Sequence, residues 1–212
     1  MKKLLLITFA LLTSTQSLQS GFPDNIESME QLIKIGNTQS FDLVESVCLR
    51  DCDLKNYDDV DYDAWEKLAA IIPQLCNLKK LSLNFRLVRE SKNVIKAPEK
   101  FSASLPESLQ ELTIVSARPL VLQMLISEIS PKVAENLTFL EIENCTIAPD
   151  NLHPLSLQIE SMKNLTHIRF VDCHISHLFE RERTDLNIVQ TLEAYTPKSC
   201  NFLFKNEHFN VQ

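Results

Sequence analysis

Apolar residues in the middle of this chain recur in a fixed order, with single polar residues between them and turn-forming residues behind. NLTFLEIENCTI (136–147) returns as NLTHIRFVDCHI (164–175), its apolar and cysteine positions kept and most other residues changed. Written L-x-x-L-x-L-x-x-C/N-x-L, this order fits VESVCLRDCDL (44–54), LTFLEIENCTI (137–147) and LTHIRFVDCHI (165–175) at every apolar position. LKKLSLNFRLV (78–88) and LQELTIVSARP (109–119) fit less fully, each lacking the cysteine. First positions fall at 44, 78, 109, 137 and 165, spaced by 34, 31, 28 and 28 residues. Such a period marks stacked units, each too small to bury its own apolar side.

Within a unit two periods alternate. Leu140 with Ile142, and Ile168 with Phe170, describe a short strand with one buried face. Behind the first strand, Trp65, Leu68, Ala69, Ile72 and Leu75 share one face of a helix. Behind the third, Leu122, Leu125, Ile126 and Ile129 do the same, with Pro119 suited to the helix start and Pro131 to its stop. Strands joined by such crossovers lie parallel, so the units predict strands on one side and helices on the other. Template positions three, five, seven and eight then point to solvent from the strand side, where substitution costs little. The end units need covers. DNIESMEQLIKIG (24–36) supplies one helix, with Asp24 as cap, Glu27 three residues later and Gly36 closing it. At the other end, residues 184–195 predict a helix and SCNFLFKNEHF (199–209) a partial sixth strand.

The repeats over residues 41–180 resemble the leucine-rich repeat family, and the 28-residue period with cysteine at the ninth position is most similar to its ribonuclease-inhibitor-type members. The resemblance implies an α/β fold: a leucine-rich-repeat solenoid, or horseshoe, with parallel strands on the concave face and helices on the convex face. It also implies non-covalent recognition, because the fold is widely used to bind proteins. The matching positions are the buried ones, so the resemblance says little about the ligand. The chain departs from regularity in having two glycines, both outside the repeats, and in its two lengthened first units.

Residues 1–20 read as a secretory signal peptide: Lys2 and Lys3, the apolar run LLLITFALL, then TSTQSLQS with cleavage expected near Ser17 to Ser20. Nine helical residues span only about 13 Å, too short for a membrane core of roughly 30 Å, and no later stretch is long enough to span. The expected organisation is therefore a leader at 1–20, an N-terminal capping helix at 21–40, about five repeats at 41–180 and a C-terminal cap at 181–212. Losing the leader takes the formal charge from −7 to −9, and no cluster of basic residues remains, which argues against a nucleic-acid partner. The mature chain of roughly 190 residues suffices for one domain with a real core.

An exported chain with six cysteines invites disulfides. Cys52, Cys145 and Cys173, however, occupy the ninth position, where the chain leaves the strand and a small, weakly donating thiol suits carbonyls inside the core. Stacking places Cys145 and Cys173 about 4.8 Å apart, within reach of a bridge by distance, yet their side chains should point the same way. Cys48, Cys76 and Cys200 are better placed for redox pairing. Cys173, His174, His177 and His167 are zinc-ligand types, but the topology disperses them, so no metal site is expected. Asp59, Asp61 and Asp63 begin like a calcium loop, which then fails at Ala64 and Ala70; a capping box of Asp63 with Glu66 is the better reading, with weak ion binding left open. Asn136, Asn144 and Asn164 stand in glycosylation sequons, but lie inside the template, and the lysine leader suits a bacterial exporter.

Nucleophile elbows, zinc-protease helices and phosphate loops are all missing, and no cofactor is implied. Glu141 and Glu143 project from one strand face two residues apart, as an acid/base pair might. Glu141 shares the fifth position with Arg169 on the next strand, where lateral pairing would hold it as a carboxylate. The strand face gives a better candidate. Position three carries Ser46, Lys80, Glu111, Phe139 and His167; position five carries Cys48, Ser82, Thr113, Glu141 and Arg169; position seven carries Arg50, Asn84, Val115, Glu143 and Val171. From these, Glu111, Thr113, Phe139, Glu141, Glu143, His167, Arg169 and Val171 are the expected contact residues for a protein or peptide partner with basic groups. The rival readings are an inhibitor or adaptor subunit of a larger complex, and a secreted hydrolase using Glu141 and Glu143.

Overall fold

The structure is a computed structural model, and it describes residues 31–32, 41, 44–49, 62–85, 96–175 and 183–206. The expected leader, Asp24, Gly36, Cys52, His177 and the acidic run at Asp59 and Asp61 lie outside the described residues, as does the side chain of Asp63. Strands and helices alternate: β1 (Ser46–Leu49), α1 (Tyr62–Ile71) with a 3-10 turn at Ile72–Gln74, β2 (Lys80–Asn84), α2 (Lys96–Ala103), β3 (Glu111–Val115), α3 (Pro119–Ser127) and α4 (Pro131–Asn136). They continue with β4 (Phe139–Glu143), β5 (Thr146–Ile147), α5 (Pro149–Ser161), β6 (His167–Val171), β7 (His174–Ile175), α6 (Arg183–Tyr195) and β8 (Asn201–Lys205). The fold is mixed α/β. Six strands form one parallel sheet in the order β1-β2-β3-β4-β6-β8, while β5 and β7 pair separately.

Alternation decides which face of the sheet is dry. Leu140, Ile142, Ile168 and Phe170 are fully buried, and their strands lie side by side with Leu140 opposite Ile168. The same parity holds in every earlier unit: Val47 and Leu49, Leu81 and Leu83, Leu112 and Ile114 all point into one core. First-position residues Val44, Leu78, Leu109, Leu137 and Leu165 close it from one end. The helices supply the opposing layer through Leu68, Ile72, Phe101, Leu122, Leu125, Ile126, Leu155, Ile159, Ile188 and Leu192. Consecutive crossover helices touch: α1 meets α2, α2 meets α3, α3 meets α5 and α5 meets α6. No helix among the described residues is long and apolar enough to cross a membrane.

Side chains at equivalent positions also tie one unit to the next. Asn136 and Asn164, just ahead of the first position, donate their amides at 2.7 Å to the carbonyls of Glu107 and Glu135, each 29 residues back. Thr166 Oγ1 donates to the Thr138 carbonyl at 2.8 Å, and Thr138 Oγ1 to that of Gln110 at 3.2 Å. The threonine hydroxyls add to carbonyls that already accept amides of the next strand, and the asparagine bonds give those two residues a structural task.

Position eight turns the chain out of the strand. Ser116, Asn144 and Asp172 stand there with φ of 59°, 49° and 50°, and their amides donate at 2.8 Å to the carbonyls of Glu143, Val171 and Lys205 on the following strand. A left-handed residue without a glycine costs about 1–2 kcal/mol, least for Asn and Asp. Asn144→Val should therefore lower stability by about 1–2 kcal/mol while Asn144→Gly stays within a few tenths, as read from urea midpoints. Equal losses would instead assign the effect to the Asn144 amide, which donates to Ser116 Oγ at 2.9 Å.

Two expectations are corrected here. Phe85 holds position eight of the second unit, but it is 2 % exposed and belongs to the core. Positions four and six face inward, so an extended chain sends position eight inward too unless a left-handed residue intervenes, and Phe85 is not among the residues of positive φ. Pro131 does not stop α3, which ends at Ser127; it stands at N1 of α4, where Ser130 caps by accepting a hydrogen bond from the Val133 amide at 3.4 Å. The helix predicted at 184–195 is α6, and the predicted sixth strand is β8.

Candidate functional site

The eight expected contact residues lie on one sheet face, and the register brings them together. Glu111 stands opposite Phe139 and Phe139 opposite His167; Thr113 opposite Glu141 and Glu141 opposite Arg169; Glu143 opposite Val171. Each is fixed by the buried residue on either side of it: burying Leu140 and Ile142 forces Phe139, Glu141 and Glu143 outward. His167 is exposed and the other seven are half-buried.

Charge on this face is largely matched sideways. Arg169 Nη1 lies 2.9 Å from Glu141 Oε2, the lateral pair that the shared fifth position predicts. Lys80 Nζ lies 2.9 Å from Glu111 Oε1, a pair of lateral neighbours in the position-three row that residue order alone does not mark out. Such exposed pairs add under about 1 kcal/mol to folding, so their main effect is to set the charge pattern of the surface. Phe139 and His167 form a tilted ring pair with centroids 6.4 Å apart. His167 Nδ1 is 3.0 Å from Thr166 Oγ1, whose single proton is given to the Thr138 carbonyl.

The rows run further than the five repeats. β8 adds Asn201, Leu203 and Lys205 opposite His167, Arg169 and Val171. Leu203, at 40 % exposure, is one of two exposed large apolar side chains among the described residues. Its place could have been found by extending the position-five row into NFLFK.

The two ninth-position cysteines among the described residues are buried, as their place in the template predicts. Cys145 and Cys173 are buried free thiols. Cys145 accepts from the Ala117 amide at 3.2 Å and reaches the carbonyls of Glu143 at 3.2 Å and Ile114 at 3.5 Å. Cys173 repeats this with the carbonyls of Ile142 at 3.2 Å and Val171 at 3.7 Å. Burial pushes the Cys145 thiol up to about 12, with Cys173 beside it adding to the shift, and burial pushes Cys173 up to about 11. Neither is a ready nucleophile or metal ligand. Of the residues considered for redox pairing, Cys48 and Cys200 are half-buried free thiols and Cys76 is exposed. The zinc-ligand types are dispersed, with His167 and His174 exposed and Cys173 in the core.

No protein-family model matches this chain, and no curated protein does.

Proposed function

We propose that this chain is a leucine-rich-repeat solenoid, exported by the leader at residues 1–20, that binds a protein or peptide through its exposed strand face without turning it over. One observation carries the reading. Residues that the fold dictates, such as Leu140, Ile142, Ile168 and Phe170, are fully buried, while the residues interleaved with them change in type from strand to strand. A register-locked sheet presents those variable side chains at fixed positions, so little ordering entropy is lost when a partner docks. Phe139 and His167 offer an aromatic anchor, and the Glu141–Arg169 pair offers a polar surround, the composition of an interface centre. The formal charge of −7 favours a partner with basic groups.

Selection of a random peptide library displayed on phage tests this directly. Peptides enriched on the wild-type protein should bind at least tenfold more weakly to Phe139→Ser, and with unchanged affinity to Leu157→Ser, which alters an exposed apolar residue of α5 on the helical side. Peptides that ignore Phe139 and respond to Leu157 would move the binding surface off the strands and end the proposal, as would a library that yields no binder.

A further inference from the structure

Among the described residues, charge on the strand face is left unmatched at Glu143. Lys80 matches Glu111, and Arg169 matches Glu141. Glu143 stands between Val115 and Val171 on the neighbouring strands and makes no ion pair among the described residues. Lys205 is further along the same row, beyond Val171, at a lateral distance of roughly 10 Å. The Glu143 side chain is half-buried, so two β-branched neighbours displace part of its water while leaving its carboxylate reachable. A charge in that setting is more costly uncompensated, and more strongly rewarded by a matching cation, than one in open water.

The neighbours decide what kind of cation fits. A metal ion needs several oxygen ligands, which two valines cannot give. An ammonium or guanidinium on an aliphatic stem needs one carboxylate and an apolar bed, which Glu143, Val115 and Val171 together provide. With both carboxylate oxygens uncommitted, a guanidinium gains the two parallel hydrogen bonds that an ammonium cannot make. Phe139 lies on the same face of β4, four residues from Glu143, a separation of roughly 13 Å along an extended chain.

Resting on the peptide-binding reading of this face, we propose that Glu143 receives an arginine of an extended peptide segment, its stem lying across Val115 and Val171, while an apolar side chain about four residues away packs on Phe139. The arginine, more than net charge, then sets specificity.

The test uses the same phage-displayed library on the full protein. Enriched peptides should carry an arginine with an apolar residue about four positions away from it. A synthetic peptide of that sequence should lose roughly tenfold in affinity on Glu143→Gln, and a similar factor when its arginine is replaced by citrulline, which keeps shape and removes charge. Both changes together should cost little more than either alone, because they delete one interaction. Glu143→Gln is nearly isosteric at a half-buried site, and a thermal melt confirms that it is folded. Multiplicative losses, or no loss with Glu143→Gln, overturn the arginine assignment. If Phe139→Ser still weakens binding in that case, the face remains the binding surface and only Glu143 is reassigned. If neither residue matters, both proposals fall.

Discussion

Phe170→Ala should lower the unfolding free energy by about 3–5 kcal/mol, the largest loss expected from a single side chain here. Phe170 is fully buried, and its ring centroid lies 5.9 Å from that of Phe202 and 5.8 Å from that of Phe204. It is therefore the platform on which the last strand, β8, is laid. Truncation removes the transfer free energy of a large ring and leaves a cavity beneath β8, whose ladder to β6 remains. Phe202→Ala removes a ring that is only partly buried, so its cost should stay below about 2 kcal/mol. Urea titrations of the two variants separate the cases through their midpoints, provided the slopes are equal. A loss at Phe170 no larger than that at Phe202 would mean that β8 does not depend on this ring.

Alkaline destabilisation should be the second large effect, and the cysteine stack should be its source. Both thiols titrate above the usual cysteine value when folded, Cys145 at about 12 and Cys173 at about 11. An unfolded thiol gives up its proton near pH 8.5. Between these values the unfolded chain holds fewer protons than the folded one, so stability falls as pH rises. The contribution is intact below about pH 8.5 and is progressively lost as pH climbs through the folded values. By pH 11 the two thiols together should remove several kcal/mol, on the order of 6. Lysines and tyrosines titrate in the same range, so the informative quantity is the difference between the wild type and the Cys145→Ala/Cys173→Ala double variant, unfolded in urea under reducing conditions. The variant should start less stable and then lose less between pH 8.5 and 11. Parallel curves would show that the thiols meet water in the folded state.

The same contrast between buried and exposed positions explains what could be read from the residues alone. Leu140, Ile168 and their equivalents are legible because packing admits only apolar residues at those places, and a period of two then assigns everything between them to the opposite face. Register followed, and with it the lateral neighbours Glu141 with Arg169 and Phe139 with His167. Contacts among exposed side chains were less legible. Lys80 and Glu111 sit side by side in the row, but rotamers decide whether neighbours meet, and a lone sequence carries no rotamers. Phe85 and Pro131 were misread for local reasons. The template treats position eight as always outward, which holds only where the chain makes a left-handed turn; proline, equally, both ends helices and begins them, and Ser130 is what settles the choice. Glu143 is legible as a residue of the strand face, but that Glu111 and Glu141 are matched by cations while it is not depends on the coordinates.

Strand order equals chain order throughout the main sheet, and adjacent strands stay in step from Ser46 to Lys205. Each link therefore involves only the strand before and the strand after. A duplicated segment of one period would enter as an extra column between existing ones, widening the exposed sheet face by about 4.8 Å without disturbing the side chains already there. The molecule is in this respect a ruler with removable divisions, and its sheet can lengthen by gene duplication without redesign of the core.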